Sequence, residues 1–195
     1  MAEVETVVLP HLADYPLFVA LYKDVTNANF LRQQLLEGNS DFEYAFLDAQ
    51  VILSRTQILA ACFRAVNDMV HNRLKSRNVH SEIVFSLSPN NNIAESFRRF
   101  GITDTTKDVL AIKVRVSPEF TSESVSQHLT QQVKGQAIEV SDEILGDLVD
   151  LARLKKIYKL NAPPKKGGSG IVSSAAAERD EMESSILGAM ALKGS

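Results

Sequence analysis

A chain of 195 residues with 45% apolar side chains is long enough for one globular domain with a real core. Its net charge of −3 argues against strong non-specific binding to nucleic acid, although a local basic patch stays open, because affinity follows the distribution of charge as well as its sum. The single cysteine, Cys62, excludes an internal disulfide, no apolar run approaches the roughly 20 residues that span a bilayer, and the acidic start MAEVETVVLPHL does not read as a signal peptide. The expectation is a soluble protein of the cytoplasm or nucleus, without membrane contact.

Residues 4–9 and Leu17–Lys23 read as the strands of a hairpin, with PHLADYP between them. A turn at 24–27 leads into a helix with Thr26 or Asn27 as cap; Ala28, Leu31 and Leu35 recur at helical spacing and Gly38 stops it. Residues 42–53, FEYAFLDAQVIL, lack a clean period and read as part loop and part short strand. The longest helix is predicted over 55–75, opened by a Ser54-x-x-Gln57 capping box. Ile58, Cys62, Ala65 and Met69 form one row and Leu59, Phe63, Val66, Val70 and Leu74 the next, so this helix belongs against the core. Arg73, Lys75 and Arg77 at its last turn and exit complement the negative end of its dipole.

Val79–Leu87 alternates and is predicted as a strand, with Val79, Ser81, Ile83, Phe85 and Leu87 facing one way. It leads into SLSPNNNIAESFRRFG. This stretch reads as a turn at Pro89 and a helix capped by Asn90 or Asn91, with Ile93, Phe97 and Phe100 on one face and Gly101 at its end. Residues 109–116 form a further strand. Leu110, Ile112, Val114 and Val116 alternate there with Lys113 and Arg115, which implies a sheet with one wet face and antiparallel or mixed pairing. A helix over 122–133 follows, then a short strand or extended lead-in at 135–140. Ser141 or Asp142 opens a helix that carries Ile144, Leu145, Leu148, Leu151 and Ala152 and ends in Arg153, Lys155 and Lys156. NAPPKKGGSG then marks a flexible linker over 161–173, and 174–195 carries a C-terminal amphipathic helix with Met182, Ile186, Ala189 and Met190 on one face and Leu187 beside them. The fold class is α/β, α+β-like: an antiparallel or mixed sheet of about four to five strands with helices packed over it in a core domain of residues 1–160, then the linker and the C-terminal helix.

Little of this looks like catalysis. His11, His71, His80 and His128 show no metal-ligand spacing, and Cys62 sits in an apolar stripe as a structural thiol. There is no Gly-rich phosphate loop and no G-x-S-x-G elbow. Asp142, Glu143, Asp147 and Asp150 read as a solvated helix face. What the chain offers is surfaces. Arg73, Lys75, Arg77, Arg98, Arg99, Arg153, Lys155, Lys156 and Lys159 either decorate helix ends or converge to neutralise phosphates. Asn90, Asn91 and Asn92 read base edges, clamp a small molecule, or simply satisfy a turn. The C-terminal helix, with its adaptable methionines, docks on a partner or folds back on its own domain.

The segment SEIVFSLSPNNNI, together with LKKIYKL further on, resembles the kinase-binding subunit of the KEOPS/EKC complex, the Cgi/TPRKB family. The opening LFVALYKDVTNANFLRQQLLEG, the central RTQILAACFRAV and the terminal ESSILGAMALK are similar to that family as well; residues 163–177 depart from it by their Pro, Gly, Ser and Ala. The resemblance implies a small α/β fold with no catalytic activity and no cofactor of its own. It implies direct binding to the N-terminal lobe of the complex's small atypical kinase and indirect association with its threonylcarbamoyl-transferase and other subunits. It further implies help in recruiting tRNA, through the 3′ end, for threonylcarbamoylation of the adenosine beside the anticodon, and in fungi a link to telomere maintenance and transcription. Such subunits are expected in nucleus and cytoplasm. On this reading Met182, Ile186, Leu187 and Met190 are the expected kinase contacts, and Arg73, Lys75, Arg77, Asn90, Asn91, Asn92, Arg98 and Arg99 the expected tRNA contacts. The alternative is a stand-alone RNA-binding or small-molecule-binding α/β domain.

Overall fold

Two strands hold the molecule together. In the structure, a computed structural model that describes residues 3–160 and 174–193, β2 (Leu17–Lys23) and β4 (Val109–Val114) pair antiparallel at the centre, buried along their whole length except at Lys23. The linker predicted at 161–173 lies outside the described residues. β3 (Ala45–Asp48) pairs with β4 on one side. β1 (Glu5–Val7) and β5 (Gln136–Ile138) follow each other along the free edge of β2, β1 against Leu17–Val19 and β5 against Leu21–Lys23. The five strands make one antiparallel sheet.

Helices cover both faces. Leu17, Val19, Leu21, Leu110, Ile112 and Val114 face α2 (Arg55–Val70), α3 (Val79–Leu87), α6 (Asp142–Leu148), α7 (Leu151–Tyr158) and α8 (Ala175–Ala191). Phe18, Ala20, Tyr22, Val109 and Ala111 face α1 (Ala28–Glu37) and α5 (Ser122–Gln132). The wet face expected from Lys113 is therefore absent. Lys113 is 2% exposed, and its ammonium donates to the Glu43 carbonyl at 2.8 Å and lies over the rings of Tyr44 and Phe120. A lysine in an alternating strand reads as solvent-facing; here its charge is met by a carbonyl and two aromatic faces instead.

The segment expected as a strand over Val79–Leu87 is the helix α3. Asn78 caps it, its side-chain oxygen accepting from the Ser81 amide at 2.9 Å. Eight of its nine residues are buried, so no polar stripe survives to reveal the helical period. The turn that follows leads into α4 (Ile93–Phe100), and its cap is Asn92 rather than Asn90 or Asn91. Gly101 ends α4 where a Cβ would lie 2.6 Å from the Phe97 carbonyl oxygen.

Other boundaries shift for local reasons. α2 stops at Val70, because Asn72 takes a left-handed backbone (φ 55) that asparagine tolerates; Arg73, Lys75 and Arg77 thus sit in a connecting loop. At its start Ser54 caps Gln57, but the Gln57 side chain accepts from Leu53, one residue before the expected partner of a capping box. The helix expected from Ser141 onward breaks in two at Val149. Asp150 caps α7 by accepting from the Arg153 amide at 3.0 Å, and like Asp142, Glu143 and Asp147 it is exposed. The two segments that carry the family resemblance meet in the core. Tyr158 donates its hydroxyl to the Leu87 carbonyl at 2.5 Å and accepts from Gln57 Nε2 at 3.1 Å, with its ring edge-on to Phe100.

Candidate ligand cleft and partner surface

A cleft of about 550 Å³ opens between α1, the 38–46 segment, the start of α3, α4 and residues 101–104. Its walls are mainly apolar, with Leu35 and Leu36 from α1, Phe42, Val84 from α3, Phe97 from α4 and Ile102, while Asn39, Glu43, Asn78, Ser81 and Thr103 add polar groups. Arg32, Arg77 and Arg98 stand around it. Arg32 pairs with Asp104 at 3.1 Å and Arg98 with Glu95 at 2.5 Å. Arg77 has no acidic partner among the described residues. Its guanidinium lies over Gly38, where a Cβ would come within 2.8 Å of Nη1. Gly38 thus serves twice: it adopts the left-handed backbone (φ 69) that closes α1, and it leaves room for Arg77.

His80 lines the cleft beside the end of β4 and is 2% exposed. Its Nε2 accepts from the Val114 amide at 2.9 Å, so the neutral ring carries its proton on Nδ1, which has no partner among the described residues. Burial, with the charge of Lys113 adding, pushes the His80 pKa down to about 3. Burial also lowers the Lys113 ammonium, with Glu43 and Asp41 acting the other way. In chemical terms this is a binding cleft: apolar walls, one unpaired cation at the mouth, and neutral donors below. Among the described residues no group of three His, Cys, Asp or Glu side chains is placed to hold a metal ion. No helix among them is long and apolar enough to cross a membrane.

The residues expected to meet tRNA are only partly brought together. Arg77 and Arg98 share the cleft. Arg73 is turned to Asp68 at 3.0 Å, and Arg99 pairs with Glu95 at 2.8 Å. Lys75 is exposed on the same loop as Arg77. Asn90, Asn91 and Asn92 do not line the cleft; the Asn90 oxygen accepts from the Asn92 amide and the Asn92 oxygen from the Glu95 amide, as a turn and a cap require. Arg32 and the apolar walls were not foreseen, because three stretches distant in sequence, 32–46, 77–84 and 94–104, supply them and no spacing connects them.

α8 is folded back on the domain. Ile186 is fully buried and Met190 is 4% exposed, both inside the core, with α8 packed on α2. Met182 packs on that core from its edge and Leu187 is half-buried. Of the four expected kinase contacts, Ile186 and Met190 therefore belong to the chain's own interior. Polar contacts tie the helix down along its length. Arg179 donates to the Leu53 and Asp142 carbonyls at 2.7 and 2.8 Å, and Ser54 donates to Glu183. Arg64 donates to the Met190 and Lys193 carbonyls at 2.7 and 2.8 Å, capping the helix end, and Lys193 donates its ammonium to the Phe85 carbonyl. The apolar side chains Phe63 and Val70, seven residues apart on one face of α2, and Leu192 after α8 stay exposed.

The family model described as kinase binding protein CGI-121 matches residues 22–194. The chain is 54% identical over 191 residues to the EKC/KEOPS complex subunit cgi121 of Aspergillus fumigatus, covering 97% of this chain and 96% of that one. It is 55% identical over 190 residues to the subunit of the same name in Aspergillus terreus, with the same coverage. It is 47% identical over 205 residues to the EKC/KEOPS complex subunit CGI121 of Coccidioides immitis, covering 100% and 99%.

Proposed function

Because the chain belongs to the CGI-121 kinase-binding family, we propose that it is a non-catalytic subunit of an EKC/KEOPS complex that binds and supports the complex's small atypical kinase. The observation that carries this reading is likeness over essentially the whole length to subunits of that name. The contact is direct with the kinase and indirect with the threonylcarbamoyl-transferase. The subunit acts in nucleus and cytoplasm, with the telomere and transcription roles that the resemblance implies.

The surface that meets the kinase is α8 with its surroundings. Met182 and Leu187 contribute from the helix flank, Ile186 and Met190 hold the helix in place from beneath, and Phe63, Val70 and Leu192 supply exposed apolar area. Replacing Phe63 and Leu192 together by glutamate tests this. Co-purification with the kinase is expected to be lost while the far-UV circular dichroism and the thermal melt stay those of the parent. Undiminished co-purification would remove this surface from consideration.

The subunit also helps recruit tRNA by its 3′ end, and the cleft is the place the chemistry favours. An unpaired Arg77, with Arg98 beside it and apolar walls behind, suits a phosphate followed by a base. Lys75 extends the positive field; Arg73 and Arg99 join it by exchanging Asp68 and Glu95 for phosphate, and Asn90, Asn91 and Asn92 stand outside the cleft. Replacing Arg77 and Arg98 by alanine is expected to weaken tRNA binding and to flatten its salt dependence by about one unit of slope per lost phosphate contact. An unchanged slope would clear both residues.

A further inference from the structure

Glu82 is 1% exposed, yet no cation pairs with it in a salt bridge among the described residues. One of its oxygens, Oε2, takes three hydrogen bonds from the loop before α3: from the Lys75 amide at 3.1 Å, the Ser76 amide at 2.8 Å and the Ser76 hydroxyl at 2.5 Å. Those bonds fix the backbone that carries Arg73, Lys75 and Arg77. A buried carboxylate is costly unless hydrogen bonds and nearby positive charge compensate it. One helical turn further along α3, the Phe85 carbonyl receives the Lys193 ammonium, and Arg64 closes the same corner by holding the Met190 and Lys193 carbonyls. Seating the end of α8 thus brings the Lys193 ammonium onto the helix that carries Glu82, at a corner that Arg64 of α2 also holds.

We propose that Glu82 is the positioning residue that joins the two surfaces of this protein, so that seating the end of α8 and ordering the basic loop at 73–77 are coupled. The proposal rests on the reading of α8 as the kinase side and of the loop as the tRNA side for its biological meaning, but not for its physical content. Two states define it: α8 seated, as observed, with Glu82 enclosed and the loop held; and the end of α8 lifted, with Glu82 opened to water and the loop released. Charges from both surfaces act on Lys193. Burial and Arg64 push its pKa down to about 7, Glu82 opposes them, and Lys75 adds to the depression. Glu82, Lys75, Arg64 and Lys193 thus sense one another across α2, α3, the loop and the end of α8. Coupling must be reciprocal: whatever stabilises the loop tightens the helix end, by the same factor.

Amide hydrogen exchange of the full-length chain, read residue by residue by NMR, tests this without any ligand. With Lys193→Met, the Lys75 and Ser76 amides are expected to exchange about tenfold faster, within the range usual for coupled sites, while the β2 and β4 amides keep their parental rates. With Glu82→Gln, the amides of the last turn of α8 are expected to speed up in turn. Unchanged protection at Lys75 and Ser76 in Lys193→Met overturns the proposal. So does acceleration of all amides alike, which reports a loss of overall stability instead. Binding of an unmodified tRNA transcript to Arg77→Ala is the separate arm. If that variant binds as the parent does, the tRNA reading fails, and the coupling still stands or falls on the exchange rates alone.

Discussion

Replacing Tyr158 by phenylalanine removes one oxygen atom and leaves the ring, so it isolates the hydrogen bonds that join α7 to the end of α3. The hydroxyl donates to the Leu87 carbonyl at 2.5 Å and accepts from Gln57 Nε2 at 3.1 Å. Leu87 and Gln57 are both fully buried, so water does not replace the lost partner. Gln57 Nε2 keeps a long contact to the Val51 carbonyl at 3.5 Å, whereas the Leu87 carbonyl belongs to the last turn of a helix and has no helical donor to fall back on. The cost is that of one buried acceptor left unpaired plus a weakened donor, about 1–3 kcal/mol. With a urea dependence of about 2 kcal/mol per molar, the unfolding midpoint moves down by roughly 0.5–1.5 M. The chain has no tryptophan, so far-UV circular dichroism is the probe. A Tyr158→Phe variant with the parent's midpoint would refute the claim that these bonds, and not the ring's packing alone, tie the two family segments together.

Other perturbations have equally definite outcomes. His80 is held neutral with its pKa pushed down to about 3 from 6.5, so the unfolded chain binds more protons than the folded one between those values. Stability contributed by the neutral ring is complete above pH 6.5 and is lost on acidification, by up to about 1.4 kcal/mol per pH unit until about pH 3; urea midpoints against pH are expected to slope less in His80→Gln than in the parent. Ile186→Ala empties a fully buried site and is expected to cost about 2–5 kcal/mol, with exchange protection of α8 falling first, since it is one helix tied to the core by side chains. Gly38→Ala meets both a left-handed backbone and the Arg77 guanidinium. It is expected to lower stability by about 1–2 kcal/mol and to weaken tRNA binding through displacement of Arg77, measured by thermal melt and by titration.

The elements that were legible are those where a cap and a single exposed face coincide. α2 shows Ser54 at its start and a wide apolar stripe; β2, buried on both faces, was legible for another reason, as a short apolar run bounded by turn residues. α3 escaped because burial on all sides removes the polar face, so a β-branched sequence fits either period; its one telling mark was Asn78 three residues before Ser81, with Glu82 in the first turn. Lys113 misled for the converse reason, since a buried lysine whose charge is met by a carbonyl and two rings looks like a surface lysine in a string of letters. The cleft was half legible. Arg77 and Arg98 were marked as basic, but their convergence, the contribution of Arg32 and the role of Gly38 depend on α1, α3 and α4 meeting in space. In the C-terminal helix the spacing of Met182, Ile186 and Met190 marked one face, although apolar and polar residues are otherwise mixed around it, and the structure assigned Ile186 and Met190 to the domain's own core.

The direct test of the whole account is to mix the purified full-length chain with the purified small kinase of its EKC/KEOPS complex and pass them over a size-exclusion column with light scattering. A single joint peak at micromolar concentration, dispersed by Phe63→Glu with Leu192→Glu, is the predicted result. Two separate peaks from folded, unaggregated proteins would contradict it.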